Sequence, residues 1–378
     1  METRTLKNPP LDLEAKIDRL PVTYYLARPE NGMNDETGLL FWIGGWGMLP
    51  TDEYSQNKLM QYLADEANVV VVALEYQGIK TKCGEIEIGV SPEWKRRICE
   101  RYGIPLINDE NAIFDALKKR GITQVEQNVD LALDASWGGD YLNWGLLPAL
   151  DHVAVLGEIL QTEKINTKKL ILFGTSYGGY IVTMILKLLP NTFSCAIENS
   201  GFTGIVPRDI ANAEHGVSHM VDLNGVTVPV VGYTPWTFKD PDAPNFFKPA
   251  FAQIRDLLQV SHFTKSETVL YAFHSTEDQV IPVGPKVTYC TFRQVYAPTH
   301  LKLVSKEDLD GGLFKVLTHG MEASMKKMFD YVRSQHGTLS KDTAETDISA
   351  ASKLTFECED MSYILKYNPD GKLDYSLV

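Results

Sequence analysis

The chain has 378 residues, a formal net charge of -13, 44% hydrophobic and 22% charged side chains. That length suffices for one large buried core, since a domain of this order hides about three quarters of its unfolded surface. The acid excess argues against a nucleic-acid partner or an anionic membrane surface, both of which need a basic patch.

The segment from Met1 to Lys7 lacks the apolar core of a secretory signal, so a cytoplasmic location is expected. Thr23 to Ala27 and Leu39 to Ile43 read as early strands, and Gly44-Gly45-Trp46-Gly47 follows the second. Val69 to Leu74 is apolar without alternation, the pattern of a strand covered on both faces. From about residue 77 to 147 the chain makes a long, mostly polar excursion. Helical stretches are expected there at Ser91 to Arg101 and Asp109 to Arg120, and an aromatic, glycine-rich piece from Ala135 to Gly145 closes it. An insertion this long carries function or its own structure. Ala149 to Leu160 then has the 3.6-residue period of a helix.

Leu170-Ile171-Leu172-Phe173 is a short buried strand that runs into Gly174-Thr175-Ser176-Tyr177-Gly178. A helix pattern follows (Ile181, Met184, Ile185, Leu188, Leu189) and Pro190 stops it. Strand, Gly-x-Ser-x-Gly and helix in that order build a nucleophile elbow, where the chain turns so sharply that the serine hydroxyl stands free. Gly174 and Gly178 are needed because a side chain there would collide with the neighbouring backbone. The Tyr177 amide at the helix start and the Trp46 amide in the glycine loop are the expected oxyanion donors. The bland alternative is a tight turn without chemistry. Leu170 to Leu186 carries no charge and approaches the length of a membrane span. The glycines in its middle and Lys187 at its end favour strand, elbow and helix instead.

Ala196 to Gly201 reads as the end of another strand, and a second insertion runs from about 202 to 265. It holds an Asn224-Gly225 hairpin turn, then prolines interleaved with Trp236, Phe238, Phe246, Phe247 and Phe251. A lid is expected in this slot. Trp236, Phe238 and Trp144 are candidate substrate contacts, with simple packing of the insertions as the alternative.

Val269 to Phe273 is a buried strand leading into the polar loop His274 to Pro282, with Asp278 near its tip. Leu301 to Val304 is a further strand, and its loop ends at Leu317-Thr318-His319-Gly320-Met321 before a helix. Ser176, Asp278 and His319 follow the chain order of one triad architecture and not those of chymotrypsin or subtilisin. Glu277 is a rival acid. Of the seven other histidines, His274 is the alternative base, read as structural because it sits at a strand end. The five cysteines (Cys83, Cys99, Cys195, Cys290, Cys358) are scattered and show no zinc spacing, so free buried thiols and no metal or organic cofactor are expected.

After residue 336 the character changes. A polar linker leads to three short strands near 354–358, 363–367 and 373–377, with Asn368-Pro369-Asp370-Gly371 as a turn. Such a meander is too small to stand alone and must dock on the core or on a second subunit.

With these elements in place, the chain resembles the α/β-hydrolase superfamily, a mostly parallel sheet flanked by helices. It is similar more narrowly to a bacterial hydrolase-like family of unknown function, often encoded beside flagellin-glycosylation and surface-sugar genes. The matching residues are Gly44-Gly45-Trp46-Gly47, Asp140-Tyr141 with Asn143-Trp144-Gly145, and the elbow through Tyr180. Glu198-Asn199-Ser200, His274-Ser275 with Asp278, and Asp310-Gly311 through Met321 match too. The resemblance spans about residues 20 to 335. It implies the Ser176–His319–Asp278 triad and a link to glycan ester chemistry. The expected organisation is a hydrolase core over 1–336 with both insertions, then linker and meander over 337–378. The expected function is a carboxylic-ester serine hydrolase acting on a small-molecule or glycan ester. Acyltransferase, peptidase and non-catalytic binding module are the alternatives.

Overall fold

The computed structural model describes residues 1–82, 92–126, 129–130, 140–210, 219–231, 235–368 and 370–378. Eight strands form the central sheet: β1 (Glu2–Leu6), β2 (Val22–Ala27), β3 (Gly38–Ile43), β4 (Val69–Leu74), β5 (Leu170–Thr175), β6 (Cys195–Asn199), β7 (Val269–Ser275) and β8 (Thr299–Val304). Their order is β1-β2-β4-β3-β5-β6-β7-β8. β2 is antiparallel to β1 and β4, and every pairing from β4 to β8 is parallel. Parallel neighbours need crossovers, and these carry helices to both faces of the sheet.

One face packs α1 (Met60–Ala67) and α5 (Met325–His336) against Leu40, Trp42, Val71, Phe173 and Ile197. The other faces α2 (Leu146–Thr162) and α3 (Tyr177–Leu188), with Phe41 set edge-on to His152 of α2 at 5.3 Å. β3, β4 and β5 are buried at every position, which is why their sequences show apolar runs without alternation. β1, by contrast, alternates half-buried and exposed residues at the sheet edge and carries no such signal. This is the α/β-hydrolase fold. Among the described residues no helix is long and apolar enough to cross a membrane, and Leu170 to Leu186 is divided between β5, the turn and α3.

The chain divides into two compact units, residues 1–79, 143–205 and 248–378 in the first, and 80–142 and 206–247 in the second. The two excursions expected as separate insertions therefore fold as one body. Their expected outer bounds also shrink, because α2 and the helix α4 (Pro249–Arg255) belong to the first unit. Within the second, helices Pro92–Arg101 and Glu110–Lys119 bury Trp94, Ile98, Ile113, Phe114 and Leu117 with Val226 and Val228 of the hairpin. Asp109 caps the second of these helices by accepting the amides of Asn111 and Ala112. The hairpin turns on Asn224 and Gly225, with φ of 53° and 80°, the left-handed pair that its Asn-Gly sequence favours. Residues 135–139 of the glycine-rich piece, Cys83, His215 and Pro369 lie outside the described residues.

The C-terminal strands β9 (Lys353–Cys358), β10 (Met361–Tyr367) and β11 (Leu373–Leu377) form an antiparallel sheet that belongs to the first unit. Its alternate residues Phe356, Cys358, Tyr363, Leu365 and Tyr367 are buried. Tyr367 donates to the Leu188 carbonyl at 2.7 Å, and Tyr363 to Glu14 at 2.6 Å. Gly371 packs so closely on α2 that a Cβ on Gly157 would lie 2.0 Å from its carbonyl oxygen. The apolar face that the sequence left open to a second subunit is thus covered by the chain itself, and 337–378 is no separate domain.

His152 is 1% exposed, and its Nδ1–H donates to the Pro148 carbonyl at 2.7 Å. Burial pushes its pKa from 6.5 down to about 4, so it folds neutral. The unfolded chain binds that proton first on acidification, so stability is full above pH 6.5 and is lost as pH falls towards 4. The span corresponds to about 3 kcal/mol. Thermal melts between pH 4 and 7 are expected to drop less steeply for His152→Phe than for wild type; parallel curves would remove His152 from this role.

Candidate active site

The elbow is built as its sequence requires. Ser176 sits between β5 and α3 with φ 54° and ψ -123°, a strained backbone for a residue with a side chain. The bend is held because the Ser176 N–H donates to the Asn199 carbonyl at 2.7 Å. A Cβ on Gly178 would lie 2.0 Å from the Ile43 carbonyl oxygen, and one on Gly174 would lie 2.4 Å from that of Gly178. Both flanking glycines are therefore steric necessities.

The Ser176 hydroxyl lies 2.8 Å from His319 Nε2, and His319 Nδ1 lies 2.8 Å from Asp278 Oδ2. A carboxylate only accepts, so Nδ1 carries the proton and leaves the Nε2 lone pair facing the serine. The other oxygen of Asp278 accepts the amides of Val280 and Ile281, both at 2.9 Å. Burial pushes the Asp278 carboxyl up, but the His319 N–H and these two amides outweigh it and hold the group below the usual carboxylate range. Its rival Glu277 is exposed. His274 is fully buried and donates from Nε2 to the Ile281 carbonyl at 3.0 Å, which braces the acid loop. Burial pushes the pKa of its imidazole down.

The glycine loop lies against Ser176: a Cβ on Gly45 would stand 3.2 Å from Ser176 Cβ and 3.7 Å from its Oγ. Tyr76 holds this loop by donating to the Gly44 carbonyl at 2.9 Å, and Met48 N–H donates to Gly45 at 2.9 Å. Trp46 is the next residue of that loop. Tyr177 opens α3, so its amide stands at the positive end of the helix dipole.

The three aromatic candidates each pack on other rings. Trp144 is 1% exposed and packs on Tyr177, Tyr180 and Phe202 behind the elbow. Within the second unit Trp236 is also buried, set edge-on to Phe247 at 5.4 Å and to Tyr141 at 6.3 Å. Phe238, partly buried, packs on the same Phe247. Aromatic rings with this much apolar surface find one another before they find a ligand.

Several site residues carry no motif of their own. Glu198 and Lys286 form a fully buried ion pair at 2.7 Å, and Glu198 also accepts the Gly201 amide at 2.8 Å. Gly179 and Gly201 leave the room for that carboxylate, since a Cβ on either would approach it to 3.1 and 2.7 Å. Ser275 donates to the Leu317 carbonyl at 2.5 Å, and Asn199 and Ser200 contact Gly320. The Glu198-Asn199-Ser200-Gly201 run was the available signal, but it read as a strand end and a point of family resemblance, with no role for its side chains.

Among the described residues no group of His, Cys, Asp and Glu is placed to hold a metal ion. Cys99, Cys195, Cys290 and Cys358 are free and buried.

Among known proteins, inactive dipeptidyl peptidase 10 of Rattus norvegicus is 41% identical over 51 residues, 14% of this chain and 6% of that protein. The acylaminoacyl peptidase of Pyrococcus horikoshii aligns with a TM-score of 0.47 at 14% identity, covering 92% of this chain and 43% of its own. Esterase 2 of Thermogutta terrifontis, phosphoramylated by tabun, aligns with a TM-score of 0.46 at 10% identity, covering 90% of this chain and 96% of its own. The chain thus spans less than half the length of the peptidase and a small fraction of the curated relative. A family model matches residues 22–375, nearly the whole chain, and the protein belongs to the family described as "Protein of unknown function (DUF2920)".

Proposed function

We propose that this protein is a serine hydrolase that cleaves carboxylic esters through an acyl-enzyme on Ser176. The single observation that carries the reading is the unbroken chain of contacts from Asp278 through His319 to the Ser176 hydroxyl, 2.8 Å at each step. As Ser176 attacks an ester carbonyl, His319 Nε2 takes its proton, and the ionised Asp278 stabilises the imidazolium that forms. The amides of Trp46 and Tyr177 are the proposed donors to the oxyanion. Each such donor contributes about a hundred- to thousandfold in rate. His319 then protonates the leaving alcohol, and water, activated by the same base, releases the acid.

The alcohol half is proposed to be a sugar hydroxyl, and the same parts would transfer the acyl group to a second alcohol or cleave an amide. A non-catalytic binding role has one observation on its side, the word "inactive" in the name of the curated relative. The intact contact chain weighs against it, since a binding module needs no such alignment.

The test is hydrolysis of p-nitrophenyl acetate, butyrate and octanoate and of an acetylated glucoside, alongside labelling by a fluorophosphonate probe. Turnover with stoichiometric labelling is expected, and the preferred chain length reports the depth of the acyl pocket. No turnover and no labelling would move the assignment to the binding role.

A further inference from the structure

Asn199 touches both the nucleophile's turn and the base's loop. Its carbonyl accepts the Ser176 N–H at 2.7 Å. Its side-chain amide donates to the Gly320 carbonyl at 3.2 Å and to Thr175 Oγ1 at 3.4 Å. Its Oδ1 accepts from the Ser200 hydroxyl at 3.3 Å, and that hydroxyl in turn accepts the Gly320 N–H at 3.3 Å. The three groups close a ring in which both the N–H and the carbonyl of Gly320 are held. Each bond is long, but the ring leaves the Asn199 amide satisfied in a side chain that is fully buried.

The loop needs such a clasp. Gly320, Met321 and Glu322 have φ of 74°, 59° and 41°, a run in the left-handed region where two of the three carry side chains. A free chain would leave that conformation, and His319 is the residue just before it. The clasp itself stands on rigid ground: Asn199 ends β6, and the Ser200 N–H donates to Phe273 of β7 at 2.8 Å.

We propose that Asn199, with Ser200, is a positioning residue that fixes His319 in register with Ser176 by clamping Gly320. The inference rests on the hydrolase reading above and adds to it the residue that joins nucleophile and base. Asn199 does not touch the reacting atoms; its effect passes through the peptide groups on either side of the Gly320 Cα. A base displaced by about 1 Å loses up to a hundredfold in rate while substrate binding stays.

The experiment compares wild type, Asn199→Ala, Ser200→Gly and the double variant with p-nitrophenyl butyrate. Sites are counted by fluorophosphonate labelling at completion. Expected is a fall in kcat per labelled site of about thirtyfold for Asn199→Ala and about tenfold for Ser200→Gly, with KM within about twofold. Ser200 has φ 54°, so glycine relieves its backbone and keeps the fold testable even if Asn199→Ala fails to fold. The double variant is expected to lose no more than the larger single, because both act through one ring. Full kcat per labelled site in both single variants, with only the labelled fraction reduced, would overturn the clasp and leave the hydrolase reading intact. A wild type that neither turns over nor labels would overturn both.

Discussion

Ser176→Ala and His319→Ala are each expected to lower kcat at least about ten-thousandfold while shifting the thermal melt by no more than about 2 °C. The separation follows from the geometry. The Ser176 hydroxyl has His319 as its hydrogen-bond partner, and the His319 side chain is still 22% exposed, so neither is a keystone of the core. Asp278→Asn is the sharper test. An amide at that position can donate to Nδ1, which turns the imidazole to the tautomer with a proton facing Ser176, and about ten-thousandfold is expected to go with it. Esterase kinetics beside differential scanning fluorimetry check all three. Retained turnover in Ser176→Ala or His319→Ala would end the triad assignment, and a large fall in Tm would show that activity was lost by unfolding.

The second large effect concerns stability and lies away from the chemistry. Arg255 and Glu14 pair through two contacts of 2.8 and 2.5 Å, with side chains 0% and 2% exposed. Arg255 also donates to the carbonyl oxygens of Asn143 and Phe251, at 2.9 and 2.8 Å. Tyr363 of β10 donates to the same Glu14, and Tyr180 of α3 donates to the Arg255 carbonyl at 2.6 Å. The guanidinium thus ties Glu14, the segment before α2 and the end of α4, while the C-terminal sheet joins through Glu14 and the elbow helix through the Arg255 carbonyl. Arg255→Ala leaves a buried carboxylate without its cationic partner, at an expected cost of about 3–5 kcal/mol and a fall in Tm of roughly 5 °C. Glu14→Leu with Arg255→Met is expected to be much milder, because removing both charges removes the desolvation cost as well. A melt for Arg255→Ala within 2 °C of wild type, the width expected of Ser176→Ala, would show that the pair is not structural.

How far the sequence reached depended on the range of the interaction. The elbow was legible because everything it needs is local: an apolar strand, two glycines where backbone would collide, and a helix behind. The hairpin at Asn224-Gly225 was legible for the same reason. The β1 strand escaped notice because an edge strand with half-exposed alternate residues has no apolar run. The burial of Trp144 and Trp236 against other rings was not legible, because an aromatic side chain looks the same in a sequence whether it meets a ligand or another ring. The excursions over 80–142 and 206–247 gave no sign that they share a core, since Phe114 and Val228 meet only after both have folded.

By itself, then, the sequence determined the strand runs of the sheet, the position of Ser176 on a sharp turn, and the order in which Ser176, Asp278 and His319 follow one another. Those are properties of period, turn chemistry and chain order, which reside in neighbouring residues. Tertiary structure alone decided the rest: that His319 and not His274 faces the serine, that Asn199 holds the loop behind it, that Glu198 meets Lys286, and that the C-terminal sheet closes on its own core. Each of these joins groups distant in the chain, and a polar group can be assigned a partner only when the fold has put one within reach.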